Sequence, residues 1–335
     1  MTIAVVLFNL GGPLHQESVK SFLWNLFKDP HIIRLPAILR YPLAWLISTL
    51  RTPKAQNIYQ QLGGGSPLNA NTQTQVEALE RLLQSKGHTA KVFMCMRYAP
   101  PMTKSVVASV RAFNPNKIIL VPLYPQFSTT TTLSSFNEWN KYTKDLSTKT
   151  KRLCCYATQN TFVEAHRNLI EQHLKVITKP VKLLFSAHSI PLDLVASGDP
   201  YAFQVEATVK TIMACESLKN YPYQICYQSR VGPKKWLEPI VDSSLKECLK
   251  DNRGAVVIPI SFVSDHSETL VELDIQYKEK AKAMGLIHYS RVPALGHHPL
   301  FIQALAEGVE TMLSDGGFQR VCPLSLNACY SSHHA

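Results

Sequence analysis

Short apolar runs rich in β-branched residues alternate along the chain with longer stretches whose apolar positions recur every three or four residues. The runs near 2–9, 91–96, 117–122, 152–157, 181–187, 223–228, 255–261 and 286–292 read as strands. Between them, "TQTQVEALERLLQSKG" (72–87), "TKSVVASVRAFN" (103–114), 162–176, "YAFQVEATVKTIMACESL" (201–218), "KKWLEPIVDSSLKECLK" (234–250), "SETLVELDIQYKEKAKAMG" (267–285) and 299–313 carry a helical period. Strand–helix alternation implies parallel sheets covered by helices, and helix 162–176 separates two runs of four strands. The expectation is therefore an α/β chain of two similar domains, 1–160 and 161–298. An insertion occupies about 15–65, and a last helix and tail, 299–335, pack back on the first domain.

In open parallel sheets, ligands bind beyond the carboxyl ends of the strands, and two facing domains would make a cleft there. The stretches to search are Asn9–Pro13, Arg97 and Tyr98, Tyr124–Thr132, Ser186–Pro191, Gln228–Trp236 and Ser261–Glu268. His188, in "LLFSAHSIP", ends one predicted strand. On that stretch alone it is either a base or metal ligand working near neutral pH or a core histidine with satisfied nitrogens. In "SDHSETLVELDIQY", Glu268, Glu272 and Gln276 recur at i, i+4 and i+8 and line one helical face. Asp265 and Glu268 have capping-box spacing, which would explain Glu268 but not Glu272. The acids form either a solvated surface or, facing a cleft, a pair whose repulsion favours a cation or shared protons. His266 adds a nitrogen nearby. Such a set falls short of a closed structural zinc site and suits transient capture of a dication such as Fe²⁺.

The glycine-rich stretches "NLGGP" (9–13) and "LGGGSPLN" (62–69) lack G-x-G-x-x-G spacing, which argues against a nicotinamide dinucleotide site. Their glycines are expected to let backbone approach a flat ligand or to make tight turns. Tyr59, Phe93, Tyr98, Tyr124, Phe127 and Trp236 fall in or beside the candidate stretches, as core or as a grip on such a ligand. Arg51, Lys54, Arg97 and Arg230 could answer its anionic edges.

The 335 residues hold 35 Lys+Arg against 24 Asp+Glu, a net charge of +11 that suits an anionic partner. Nucleic acid is not expected as that partner, because no basic run is interleaved with aromatics and no zinc-finger, RRM or helix-turn-helix signature occurs. The opening "MTIAVVLFNLGGP" lacks a basic n-region and cleavage site, and "LPAILRYPLAWLISTLR" is broken by Arg40 and Pro42 and too short to span a bilayer. A cytoplasmic protein is expected, with its eight cysteines reduced.

Taken in order, "LFNLGGP", "RTPKAQNIYQQLGGGSPL", "MRYAPP", "LYPQFSTTTTLSSFN", "LLFSAHSIP", "GDPYAFQVEATV", "YQSRVGPKKWLEP", "SFVSDHSETLVELDIQY" and "HHPLFIQALAE" resemble the ferrochelatase family over nearly the whole chain. The resemblance implies two Rossmann-like, chelatase-type domains, each a four-stranded parallel sheet flanked by helices, with the active-site cleft between them. It implies a lyase inserting Fe²⁺ into protoporphyrin IX, the last step of haem biosynthesis. His188 then matches the family's motif histidine, implicated in metal binding and in accepting pyrrole protons. Glu268 matches its carboxylate partner, at catalysis and at the metal alike, and Glu272 the next acid of a path. Arg51, Tyr59 and Ser66 match positions at the porphyrin's edge and propionates, Trp236 an aromatic beside the macrocycle, and Arg97 and Tyr98 a pair on the opposite wall. Tyr124 falls in the same porphyrin-binding set. Coproporphyrin as substrate, cobalt as metal, or a non-catalytic carrier remain alternatives on the same scaffold.

Two departures change what the resemblance implies. Gln276 stands where many relatives have an acid. Cluster-bearing members end in C-x2-C-x4-C with a further cysteine near "YPQFS"; here Ser325 lies between Cys322 and Cys329, and Thr129 fills the other slot. Two cysteines cannot supply a [2Fe–2S] centre, so no iron–sulfur cluster and no tightly bound cofactor are expected. Residues 21–50, in the lip insertion, are either a peripheral membrane contact on the inner face of the membrane or an ordinary helical pair.

Overall fold

The computed structural model describes residues 1–314, 322, 323 and 325–328. It divides into two compact units. One holds Met1–Cys155 with 305–314; the other holds Tyr156–Ala304 with the described tail residues.

In the first unit, β1 (Thr2–Asn9) is followed by α1 (Val19–Phe27), α2 (Ala37–Gln60), α3 (Leu68–Ser85), β2 (Thr89–Met96), α4 (Thr103–Phe113), β3 (Lys117–Pro122), α5 (Thr132–Tyr142) and β4 (Thr150–Arg152). All strand pairs are parallel, in the order β2-β1-β3-β4. β1 is buried from Ile3 to Asn9, as a central parallel strand covered on both faces must be, and its unbroken apolar run follows from that. Phe8 packs edge-on against Phe136 and Trp139 of α5, at 6.1 and 5.9 Å between ring centroids.

The second unit repeats the plan. α6 (Asn160–Leu174), β5 (Val181–His188), α7 (Leu192–Ala196), α8 (Tyr201–Met213), β6 (Tyr223–Gln228), α9 (Val241–Lys250) and β7 (Gly254–Pro259) lead to a π-helical segment, Glu268–Tyr277. That segment runs into α10 (Lys278–Ala283), then β8 (Tyr289–Arg291) and α11 (Pro299–Leu313). The sheet is again all parallel, β6-β5-β7-β8. α11 crosses the division, its residues from Leu305 grouping with the first unit.

Four elements differ from the pattern-based expectation. α5 carries no clear apolar period, because Thr132, Ser134 and Ser135 share its buried face with Phe136 and Trp139. The buried run Leu153–Ala157 lies beyond the ladder of β4, which pairs only over Thr150–Arg152. α9 starts at Val241 rather than near 234, because Pro239 disfavours helix in the residue before it. Ahead of it, Leu237 N–H bonds to the Ile190 carbonyl and Leu192 N–H to the Lys235 carbonyl, so Trp236 lies beside the turn after β5. The helix from 268 winds with i→i+5 bonds over ten residues, which a 3.6-residue period does not foretell.

Candidate active site

Sheet order fixes where chemistry can collect. After β5 the chain goes to β6 on one side, and β7 forms on the other, so the carboxyl ends of β5 and β7 border the switch point of the second sheet. His188 is the last residue of β5, and its N–H donates to Ser261 Oγ (3.1 Å) in the loop after β7. The Tyr201 hydroxyl donates to the His188 carbonyl (3.0 Å), so the backbone at this residue is held from two sides. His188 Nδ1 lies 3.0 Å from Glu268 Oε2. A carboxylate only accepts, so the proton sits on Nδ1 and Nε2 is the nitrogen left to meet a ligand. The side chain is 39% exposed, enough to be reached. His266 Nε2 stands 3.9 Å from the same Glu268 oxygen, and Phe262 packs against both imidazoles.

Glu272 is clamped from the end of β6. Ser229 donates its N–H to Oε1 (3.1 Å) and its hydroxyl to Oε2, and Gln228 Nε2 reaches Oε2 at 3.2 Å. Gln228 Nε2 also bonds to the Glu268 carbonyl (3.0 Å), while its Oε1 accepts from Ser186 on β5. Ser229 adopts φ +63°, a left-handed conformation uncommon outside glycine and costly unless its surroundings enforce it. Here the two bonds to Glu272 enforce it. Gln228 and Ser229 lie in a stretch marked by its position after a strand, but nothing local in the sequence ties them to a carboxylate more than forty residues on. Gln276 is exposed, off this set of contacts.

The charges follow from this packing. Burial opposes a proton charge on His188, but the charge and hydrogen bond of Glu268, with Glu272 behind it, outweigh that and raise its pKa. Burial likewise opposes ionisation of Glu268, yet His188 above all, then His266 and Ser229, hold its carboxyl well below the usual range. Glu272 is raised, by burial first and the Glu268 charge second, against the bonds from Ser229 and Gln228. His266 is kept low by burial. One pair is thus poised to ionise together, with a second acid beside it that holds its proton more readily.

A family model described as ferrochelatase matches residues 2–313. The chain belongs to the ferrochelatase family. Ferrochelatases of Wolbachia sp. subsp. Drosophila simulans (49% identical, 92% of this chain and 98% of that relative), Caulobacter vibrioides (46%, 92% and 89%) and Rickettsia bellii (42%, 98% and 94%) align along nearly their whole length. Among solved structures, SirB from Bacillus subtilis with Fe3+ superposes with a TM-score of 0.56 at 12% identity, covering 94% of this chain and 97% of that one. CbiX, the terminal enzyme for biosynthesis of siroheme in denitrifying bacteria, does so at 0.51 and 14%, covering 94% and 100%. At such identity these two speak for the chelatase-type fold alone. Ferrochelatase membership brings metal insertion in haem biosynthesis with it.

Of the other residues that the ferrochelatase resemblance singles out, Arg51, Tyr59, Ser66, Arg97, Tyr98 and Tyr124 belong to the first unit and Trp236 to the second. Arg97 and Tyr98 follow β2 and share one carboxylate: Arg97 Nη2 and the Tyr98 hydroxyl both bond to Asp29 Oδ2, at 2.6 and 2.8 Å, while Arg97 Nε bonds to Ser134 (2.8 Å) and Nη2 also lies 3.7 Å from Glu138 Oε2. Tyr98 is only 1% exposed, so Asp29, unmarked by any sequence signal, sets where this pair points. Tyr124 is buried in the same unit, and burial pushes its phenol up. Tyr59 is buried in the α1–α2 cluster with Val19, Leu23, Phe27 and Ala44, and the half-buried Arg51 guanidinium lies 5.8 Å over the Phe27 ring. Ser66 joins the two glycine stretches: its N–H bonds to the Pro13 carbonyl (2.7 Å), and a Cβ on Gly12 would fall 2.4 Å from the Ser66 Cβ. Trp236 is half-buried. Among the described residues no three His, Cys, Asp or Glu side chains gather as a metal cage. Thr129 accepts from Arg34 (3.2 Å) and Cys322 from Gln204 (2.9 Å); Cys329 lies outside the described residues.

Proposed function

We propose that this chain inserts Fe²⁺ into protoporphyrin IX to form protohaem, with His188 Nε2 as the atom that meets the porphyrin's centre. The observation that carries the reading is the His188–Glu268 pair at the switch point of the second sheet, 3.0 Å apart, with Nε2 turned free. Metallation removes two pyrrole protons and replaces the water around the ion. A base fixed against the ring lowers both costs. His188 Nε2 takes a pyrrole proton, and the imidazolium so formed is stabilised by Glu268. Glu268 itself acts through the imidazole, as carboxylates behind metal-facing histidines do. Glu272, its affinity for a proton raised, is the group to which the first proton passes from this pair, which leaves His188 Nε2 free to take the second. Two cysteines at most in the tail and a threonine at 129 support a chain that works without an iron–sulfur cluster.

An anaerobic assay with Fe²⁺ and either protoporphyrin or coproporphyrin, followed by product absorbance, tests the reading. Faster metallation of protoporphyrin than of coproporphyrin is expected. Preference for coproporphyrin would reassign the substrate, and no acceleration of either would end the enzyme reading. His188→Ala is expected to lower kcat by about 10²–10⁴-fold with porphyrin binding kept. Full activity in that variant would remove His188 from the mechanism.

A further inference from the structure

On the edge of the second sheet, bonded to the segment that carries the two acids, stands a residue that makes no hydrogen bond to either of them. Arg291, on edge strand β8, is 6% exposed and pairs in register with Val257 of β7. Its guanidinium forks onto Asp274, Nε to Oδ1 at 2.7 Å and Nη2 to Oδ2 at 2.6 Å, and its Nη1 reaches Asp265 Oδ1 at 2.8 Å. Asp265 lies three residues before Glu268, and Asp274 two residues after Glu272. One cation therefore pins both flanks of the stretch that carries the two acids. A bidentate guanidinium–carboxylate pair fixes orientation as well as distance, which lysine cannot reproduce. Two residues earlier on the same strand, the Tyr289 hydroxyl donates to the Leu273 carbonyl (2.8 Å), inside the π-helical turns. π turns are rare and need outside support where the ordinary i→i+4 ladder is lost.

We propose that Arg291, with Tyr289, is a positioning residue: β8 braces segment 265–274 in its wide winding and so sets where Glu268 and Glu272 stand relative to His188. The proposal rests on the reading of those acids as the proton-handling groups. It accounts for a buried cation that the chemistry itself does not use.

Hydrogen exchange on Arg291→Met, Asp274→Asn and Tyr289→Phe reads the brace directly. Amides of 268–277 are expected to exchange at least about tenfold faster than in the wild type, while those of β5 keep their protection. In the anaerobic metallation assay kcat is expected to fall about 10- to 100-fold with porphyrin KM unchanged, the loss typical of removing a supporting partner. Wild-type exchange over 268–277 in all three variants, or an effect confined to KM, would overturn the proposal. Should Arg291→Met fail to fold, the two milder variants carry both readouts. If the wild type metallates no porphyrin, the functional reading fails, and the exchange data still decide the brace.

Discussion

At the residue scale, the His188–Glu268 pair makes pH the informative variable. His188 can take a proton only when it has none, and Glu268 raises its pKa. The rate is therefore expected to climb with pH through a point above about 6.5, the ordinary histidine value. Glu268→Gln removes the charge that raises it, so the point should move to lower pH while the maximum falls. A pH–rate profile checks this, and an unmoved limb would show that another group titrates. Stability gives the matching sign. The raised His188 contributes fully below its unfolded pKa and loses that contribution as pH rises through the folded value. The lowered Glu268 contributes above its unfolded pKa and loses it as pH falls through the folded value. Wild type should thus exceed Glu268→Gln in denaturant midpoint most between those two limits. His188 and Glu268 were readable in the sequence because strand ends and helix starts have local signals. Asp29, Gln228, Ser229 and Arg291 were not, because each earns its role from a partner that folding brings from far along the chain.

At the scale of elements, buried parallel strands were legible, since β1, β5 and β7 must be apolar on both faces. α5 was hidden because small hydroxyl residues fill part of its buried face, and the π winding because spacing alone does not distinguish i→i+4 from i→i+5 bonding. The glycine stretches, expected to admit a flat ligand or a turn, bend with positive φ at Gly11, Gly63 and Gly64 and also let two loops of one unit touch. A Cβ on Gly65 would lie 2.3 Å from the Leu14 carbonyl oxygen, a backbone atom with no room to yield. Gly65→Ala is expected to cost about 1–3 kcal/mol of stability, measured by chemical denaturation. A variant as stable as wild type would mean that the loops part freely.

At the scale of the molecule, α2 has an apolar outer face. Ala44, Ser48 and Tyr59 face inward, while Ile38, Trp45 and Leu50 are 81%, 57% and 70% exposed, with Lys20, Arg34 and Lys54 exposed around them. No helix among the described residues is long and apolar enough to cross a membrane; an exposed apolar helix face ringed by cations suits a contact that lies on a lipid surface. The chain is expected to float with anionic liposomes, and Ile38→Glu with Leu50→Glu to weaken that binding at least about tenfold. Equal flotation of the double variant would return α2 to an ordinary helical pair. The two sheets share one strand order, and β1 and β5 hold the same place in it, eight residues each. Doubling of a single ancestral unit leaves such a pattern. In that correspondence Asn9 is the counterpart of His188: it spends its amide on Thr72 and on the N–H of Leu10 rather than on a carboxylate. On the function proposed above, one copy of the plan carries the reactive nitrogen at this strand end and its twin does not, so substitutions at the two matching positions would bear on different properties under selection.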